Sequence, residues 1–136
     1  MWLRLLIVCL CAVLVQGCAS FAEKPDSPET ALLSVEGIVI SNELPFPVTD
    51  VMIKIPASGR FAGCGNIMAA SACRTSFTAV DYRADAMVVS WREYGKPHAT
   101  DAFVVEVPEG MDLEKPVWLR VVIFAMGQAA AEFVQF

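Results

Sequence analysis

The segment Val48-Thr49-Asp50-Val51-Met52-Ile53-Lys54-Ile55 alternates with a period of two, Val51, Ile53 and Ile55 on one side against Asp50, Met52 and Lys54 on the other. Successive side chains of an extended chain point to opposite faces, so this pattern predicts a strand with one face on a core and one in water. Pro56 ends it, because proline has no amide hydrogen to give to a ladder. The segment Val117–Ala125 repeats the alternation, with Val117, Leu119, Val121 and Ile123 set against Trp118, Arg120, Val122 and Phe124. Being apolar on nearly both sides suits a central or partner-covered strand.

Outward from these two segments, the chain reads as short β segments divided by turn residues. Further strands are expected at Leu32–Ser41, Cys73–Thr78, Met87–Tyr94, Ala102–Val107 and Ala129–Phe136, making seven. In the first, Leu33 and Val35 have one parity and Ile38 and Ile40 the other, so a bulge at Glu36-Gly37 is expected to turn all four to the core. In Ala102–Val107, Phe103, Val105 and Val107 are expected to face in. Asn42–Pro47, with its two prolines, and Gly95–His98 read as connections, and Ala57–Gly63 as a turn before a cysteine loop. The alanines at 129–131 favour a helix by propensity, but eight residues leave little room for one. The expected fold is all-β, an antiparallel β-sandwich of about seven strands over residues 32–136, with a small closed barrel as the alternative.

The first eighteen residues read differently. A basic start at Arg4 is followed by an apolar run, Leu5–Val15, and a small residue, Gly17. The run is too short to span a bilayer, which takes roughly 20 residues. Leu14-Val15-Gln16-Gly17-Cys18 resembles the lipobox of bacterial lipoprotein precursors, departing at Gln16, where a small residue is usual. The resemblance implies removal of residues 1–17 as a signal peptide and lipidation of Cys18, thioether-linked to diacylglycerol and then N-acylated. Two or more chains, at about 0.8 kcal/mol per buried methylene, would hold the protein to a membrane stably. Ala19 stands where an aspartate would retain a lipoprotein in the inner membrane, so the expected location is the outer membrane, facing the periplasm. The alternative is a secretory signal cut near Ala19 or Ala22, releasing a soluble periplasmic protein. Residues 18–31, polar and bearing Pro25 and Pro28, are expected to be a lipidated tether, about 12 extended residues of which reach about 40 Å.

Five cysteines are resolved by this cut: Cys9 and Cys11 leave, Cys18 becomes the anchor, and Cys64 and Cys73 remain. In an oxidising compartment the pair is expected to form a disulfide. Two thiolates without further ligands suit zinc poorly. At nine positions apart, the two are expected to be too close in sequence to link opposite sheets. The 119 residues left make one domain, with 9 basic against 15 acidic residues for a formal charge of −6. No basic patch for nucleic acid is expected. The whole-chain apolar fraction of 56% is inflated by the signal, yet enough Val, Ile, Phe and Trp remain for a core.

The run Val48–Phe77 resembles bacterial immunoglobulin-like domains related to the abnormal-spindle and hydin type, through Gly59, Phe61, Cys64, Ile67, Cys73 and Phe77. It departs at Ala72 and Ala79, where that pattern often has glycine and proline, and it covers about a quarter of the mature chain. The resemblance implies an immunoglobulin-like sandwich and a mostly adhesive or scaffolding role. It does not carry over a particular partner.

Candidate chemistry is sparse. His98, the single histidine, lies near Asp101, a pairing that could serve a serine nucleophile, but no Gly-x-Ser-x-Gly elbow exists and His98 reads as an exposed loop residue. Met52, Met68, Met87, Met111 and Met126 could be soft copper ligands beside His98, but their spacing is unclustered. The carboxylate pairs Asp81/Asp85 and Glu106/Glu109 read as solvated loop charges. No catalytic residue, metal or cofactor is expected. Trp118, Val122 and Phe124 form an apolar stripe that marks an interface if exposed and a core element if covered. The expected function is a non-enzymatic, lipid-anchored lipoprotein that binds or scaffolds another envelope protein through a sheet edge or the Trp118/Phe124 face. The alternative is a periplasmic inhibitor of a hydrolase.

Overall fold

The computed structural model describes residues 32–136; the expected signal peptide, Cys18 and the expected tether lie outside the described residues. Eight strands follow in order: β1 (Ser34–Asn42), β2 (Val48–Ile55), β3 (Arg60–Ile67), β4 (Ser71–Asp81), β5 (Val88–Glu93), β6 (Lys96–Ala99), β7 (Val117–Ala125) and β8 (Gln128–Val134). They form two four-stranded sheets, β4-β1-β7-β8 and β3-β2-β5-β6, that share one apolar core. The protein is a β-sandwich.

The alternation in β2 and β7 does what it predicts. Val51 and Ile53 of β2 and Val117, Leu119, Val121 and Ile123 of β7 are buried, while Ile55, at the strand end, is half-covered. The bulge in β1 is present, with the register slipping between Val35 and Gly37 against both neighbours. Leu33, Val35, Ile38 and Ile40 consequently all reach the core. Trp91 of β5 is its largest fully buried side chain. Burying each large apolar side chain contributes roughly 1.5–3 kcal/mol.

The expected sandwich of about seven strands is present with eight. Four details are corrected. β3 and β6 form where a turn and a connection are expected, and Ala102–Val107 is not a strand. Phe103 makes only an isolated bridge to Met87, although Val105 is buried as expected, while Val107 is exposed. The sheets are not purely antiparallel, because β1 runs parallel to β7. Cys64 and Cys73 form the expected disulfide, but it joins β3 of one sheet to β4 of the other.

The last correction has a topological cause. β2 pairs with β3 in one sheet, and the flanking strands β1 and β4 pair in the other. One two-stranded ribbon thus folds over from sheet to sheet instead of closing as a flat hairpin. Nine residues of separation then cross the sandwich, with the two Cα atoms 6.1 Å apart.

The fold in the ribbon falls at residues 42–48 on one strand and 67–71 on the other, and Asn42 holds it. Its Nδ2 donates to the carbonyls of Phe46 (2.9 Å), Ile67 (3.2 Å) and Met68 (3.1 Å), and its Oδ1 accepts from the Leu44 amide (3.0 Å). Backbone that leaves a ladder inside a protein must find other partners. Asn42, 1% exposed, supplies them for both strands at once.

Candidate binding surface

The stripe expected on β7 divides in two. Trp118 lies flat across Gly37, where a Cβ would come within 2.5 Å of the indole, so the β1 bulge carries a glycine to admit the ring. Its Nε1 donates to Glu36 Oε1 at 3.1 Å. The Arg74 guanidinium sits 4.7 Å from the Trp118 ring centre and 4.8 Å from that of Phe136, a cation held over two aromatic faces. Trp118 is therefore half-buried and engaged locally. The Arg120–Glu132 pair, at 3.4 Å, separates it on the sheet from Val122. Val122 is half-buried between Ser41 and Ala130, and Phe124 is 47% exposed.

Phe124 adjoins a second apolar region that sequence reasoning did not find. Four chain reversals meet at the end of the sandwich where β1 and β7 finish. They are Pro45-Phe46-Pro47, Met68-Ala69-Ala70, Tyr94-Gly95 and Met126-Gly127. Asn42 ties the first two, and the Ala70 amide donates to the Leu44 carbonyl at 3.3 Å. Phe46 and Tyr94 pack with ring centres 4.7 Å apart and planes tilted by 37°. Met68, Tyr94 and Met126 are 65%, 83% and 72% exposed. None of these ten turn residues carries a charge, although Glu43, Arg92 and Lys96 flank them.

Two non-glycine residues of this group have positive φ, Ala70 at +53° and Tyr94 at +50°, and Tyr94 is the bulky one. A bulky side chain is disfavoured there, and a two-residue hairpin turn normally takes asparagine or aspartate. Such outliers concentrate at functional positions. The chain enters the sandwich at the opposite end, through Leu33 and Ser34.

A buried carboxylate braces the same end. Glu93, 5% exposed, accepts from Trp91 Nε1 and from the Gly127 amide, both at 2.9 Å, so a side chain of one sheet holds the hairpin turn of the other. His98 is corrected from an exposed loop residue to a half-buried member of β6, opposite Trp91, with Nε2 3.4 Å from Glu93 Oε2. Its partner is Glu93, not Asp101, which is exposed. A Cβ at Gly127 would meet His98 Nδ1 at 3.2 Å, and φ there is +70°, so glycine suits the position twice over. Every buried side-chain nitrogen and oxygen among the described residues has a hydrogen-bond partner. Both hydrogen bonds to Glu93 fall on Oε1, and Oε2 faces His98.

Of the five methionines among the described residues, Met87 is core while Met68 and Met126 lie at the apolar end. Among the described residues, no group of three or more His, Cys, Asp or Glu side chains could hold a metal ion. Fold and surface together define a small disulfide-bridged β-sandwich with one preorganised end whose exposed apolar side chains are flanked by the charges of Glu43, Arg92 and Lys96. Comparison with protein-family models, curated proteins and solved structures gives no match for the chain.

Proposed function

We propose that the protein is a lipid-anchored binding module of a bacterial envelope, held at Cys18 in the outer membrane, and that it meets a partner protein through Val122, Phe124 and the adjoining apolar end. The observation that carries the binding reading is the exposure of Phe124 near the end of β7 beside Met68, Tyr94 and Met126 on turns, two of which Asn42 and Glu93 tie down. Exposed apolar side chains gathered in one patch mark interaction sites, and a rigid surface loses little entropy on binding. The lipobox resemblance supports the anchor, and the attached chain enters the sandwich at Leu33, away from this surface.

The anchor is tested by Cys18→Ser, expected to abolish both membrane fractionation and fatty-acid labelling; a variant that still pellets and carries label refutes it. The surface is tested with Phe124→Ser combined with Tyr94→Ser, followed by crosslinking in cells. Loss of a discrete adduct to a resident envelope protein, with thermal stability unchanged, is the expected result. Binding only to an added hydrolase would instead favour the inhibitor reading.

A further inference from the structure

We propose that the cleft at the β2–β3 turn binds a small apolar anion, an organic body carrying one carboxylate or phosphate. The cleft has a volume of about 480 Å³, within the roughly 300–1,000 Å³ typical of small-molecule sites. Met52, Ile55, Pro56 and Phe61 form its apolar wall, Lys54 and Arg60 supply its charge, and no carboxylate lines it. It is separate from the Phe124 surface, since β2 begins near that end with Val48 and this turn follows its other end.

Lys54 stands directly opposite Phe61 on the paired strands, and Arg60 opposite Ile55, so each cation is set beside an apolar neighbour. Phe61 is 71% exposed, an aromatic ring left in water. The turn itself is fixed from within. The Ser58 and Gly59 amides donate to the Ile55 carbonyl at 3.2 and 2.9 Å, and Ser58 Oγ accepts from the Arg60 amide at 3.3 Å. A site held in place before its ligand arrives loses little entropy on binding.

The charges name the occupant. From Val51 to Val80 the chain carries Lys54, Arg60 and Arg74 and no carboxylate, although acidic residues outnumber basic ones overall. Arg74 is taken up by Trp118 and Phe136. Lys54 and Arg60 enter no ion pair among the described residues, whereas Arg92, in the cleft beside Pro97 and His98, is already held by Asp50 at 3.3 Å. Two unanswered cations call for an anion, and a guanidinium matches the paired oxygens of a carboxylate or phosphate. The ring and aliphatic wall beside them call for an apolar body as well.

The test is equilibrium dialysis of 4-phenylbutanoate against the full chain in dodecyl maltoside micelles, with empty micelles as the blank. The expected result is saturable binding of one probe per chain. Lys54→Gln combined with Arg60→Gln should weaken it about ten-fold or more, as should Phe61→Ser, while Lys96→Gln leaves it unchanged and all variants melt with the parent. 4-Phenylbutanol and inorganic phosphate, each with half of the required chemistry, should bind at least about ten-fold more weakly than the probe. Phosphatidylglycerol added to the micelles displaces the probe if the natural anion is a lipid headgroup, and leaves it bound, as phosphatidylcholine does, if the ligand is a free amphiphile. Absence of saturable binding overturns the proposal. So does binding that survives in the Lys54/Arg60 double variant, or phosphate that binds as tightly as the probe.

Discussion

The two ends of the sandwich are closed by different chemistry. At the end where β1 and β7 finish, the backbone crosses between sheets, and two buried polar side chains, Asn42 and Glu93, satisfy the freed groups while Met68, Tyr94, Phe124 and Met126 stand exposed outside. At the end where the chain enters, apolar packing does most of the work. Tyr82 meets Phe133 edge-on at 4.7 Å and donates to the Val105 carbonyl, and a charged loop spans Pro108–Pro116 outside. Both ends expose apolar side chains, Leu32, Leu113 and Phe136 at the second, but the first sets them over buried polar braces. This difference singles out the first as the binding end, since holding it costs buried polar groups and a strained tyrosine that stability alone would not select.

The comparison can be broken from its polar side first. Asn42→Ala removes the partner of three carbonyls and the Leu44 amide, and is expected to cost on the order of 3 kcal/mol or more in denaturant unfolding. Glu93→Ala leaves the Trp91 indole and the Gly127 amide without an acceptor and should cost about 2–3 kcal/mol by the same measurement. Replacing Cys64 and Cys73 together with serine opens a short loop, with an expected loss somewhat under about 3 kcal/mol and melting that no longer responds to reductant.

Two smaller effects sharpen it. Tyr94→Asn relieves the left-handed backbone and should stabilise the fold by about 1 kcal/mol while weakening partner capture, opposite signs that an ordinary surface residue would not give. At the other end, burial foremost, with the Asp85 carboxylate adding to it, raises the Tyr82 phenol above its ordinary 10.0. The folded state favours the protonated phenol, so this contribution is complete below about pH 10 and falls away as pH rises through the higher folded value. Tyr82→Phe should therefore flatten the alkaline limb of a stability–pH profile, by a small amount since the ring is only half-buried.

Much of the fold was legible because β2, β7 and the bulged β1 each bury one parity of side chain, a local signal. The edges were not. β3 places Gly63 and Gly65 where strand propensity is lowest and β6 contains Pro97, yet an edge strand needs to donate on one side only. The parallel β1–β7 pair and the cross-sheet disulfide arise from a ribbon folding over, which no local pattern encodes. The stripe on β7 was half readable: its alternation placed Trp118, Val122 and Phe124 on one face, but not the glycine and arginine that engage Trp118. The apolar end draws on turns far apart in sequence and gathered by Asn42 and Glu93. Its one local trace was apolar side chains in turns, Tyr94-Gly95 and Met126-Gly127, where asparagine or aspartate is usual.

The central claim is that the partner meets the end bearing Phe124 and Tyr94. Its most direct measurement is crosslinking in cells with a photoreactive phenylalanine placed in turn at position 124, at position 94, and at Leu113, an exposed apolar residue of the opposite end. The account predicts one discrete adduct shared by positions 124 and 94 and absent from 113. The same adduct from all three, or an adduct from 113 alone, would contradict it.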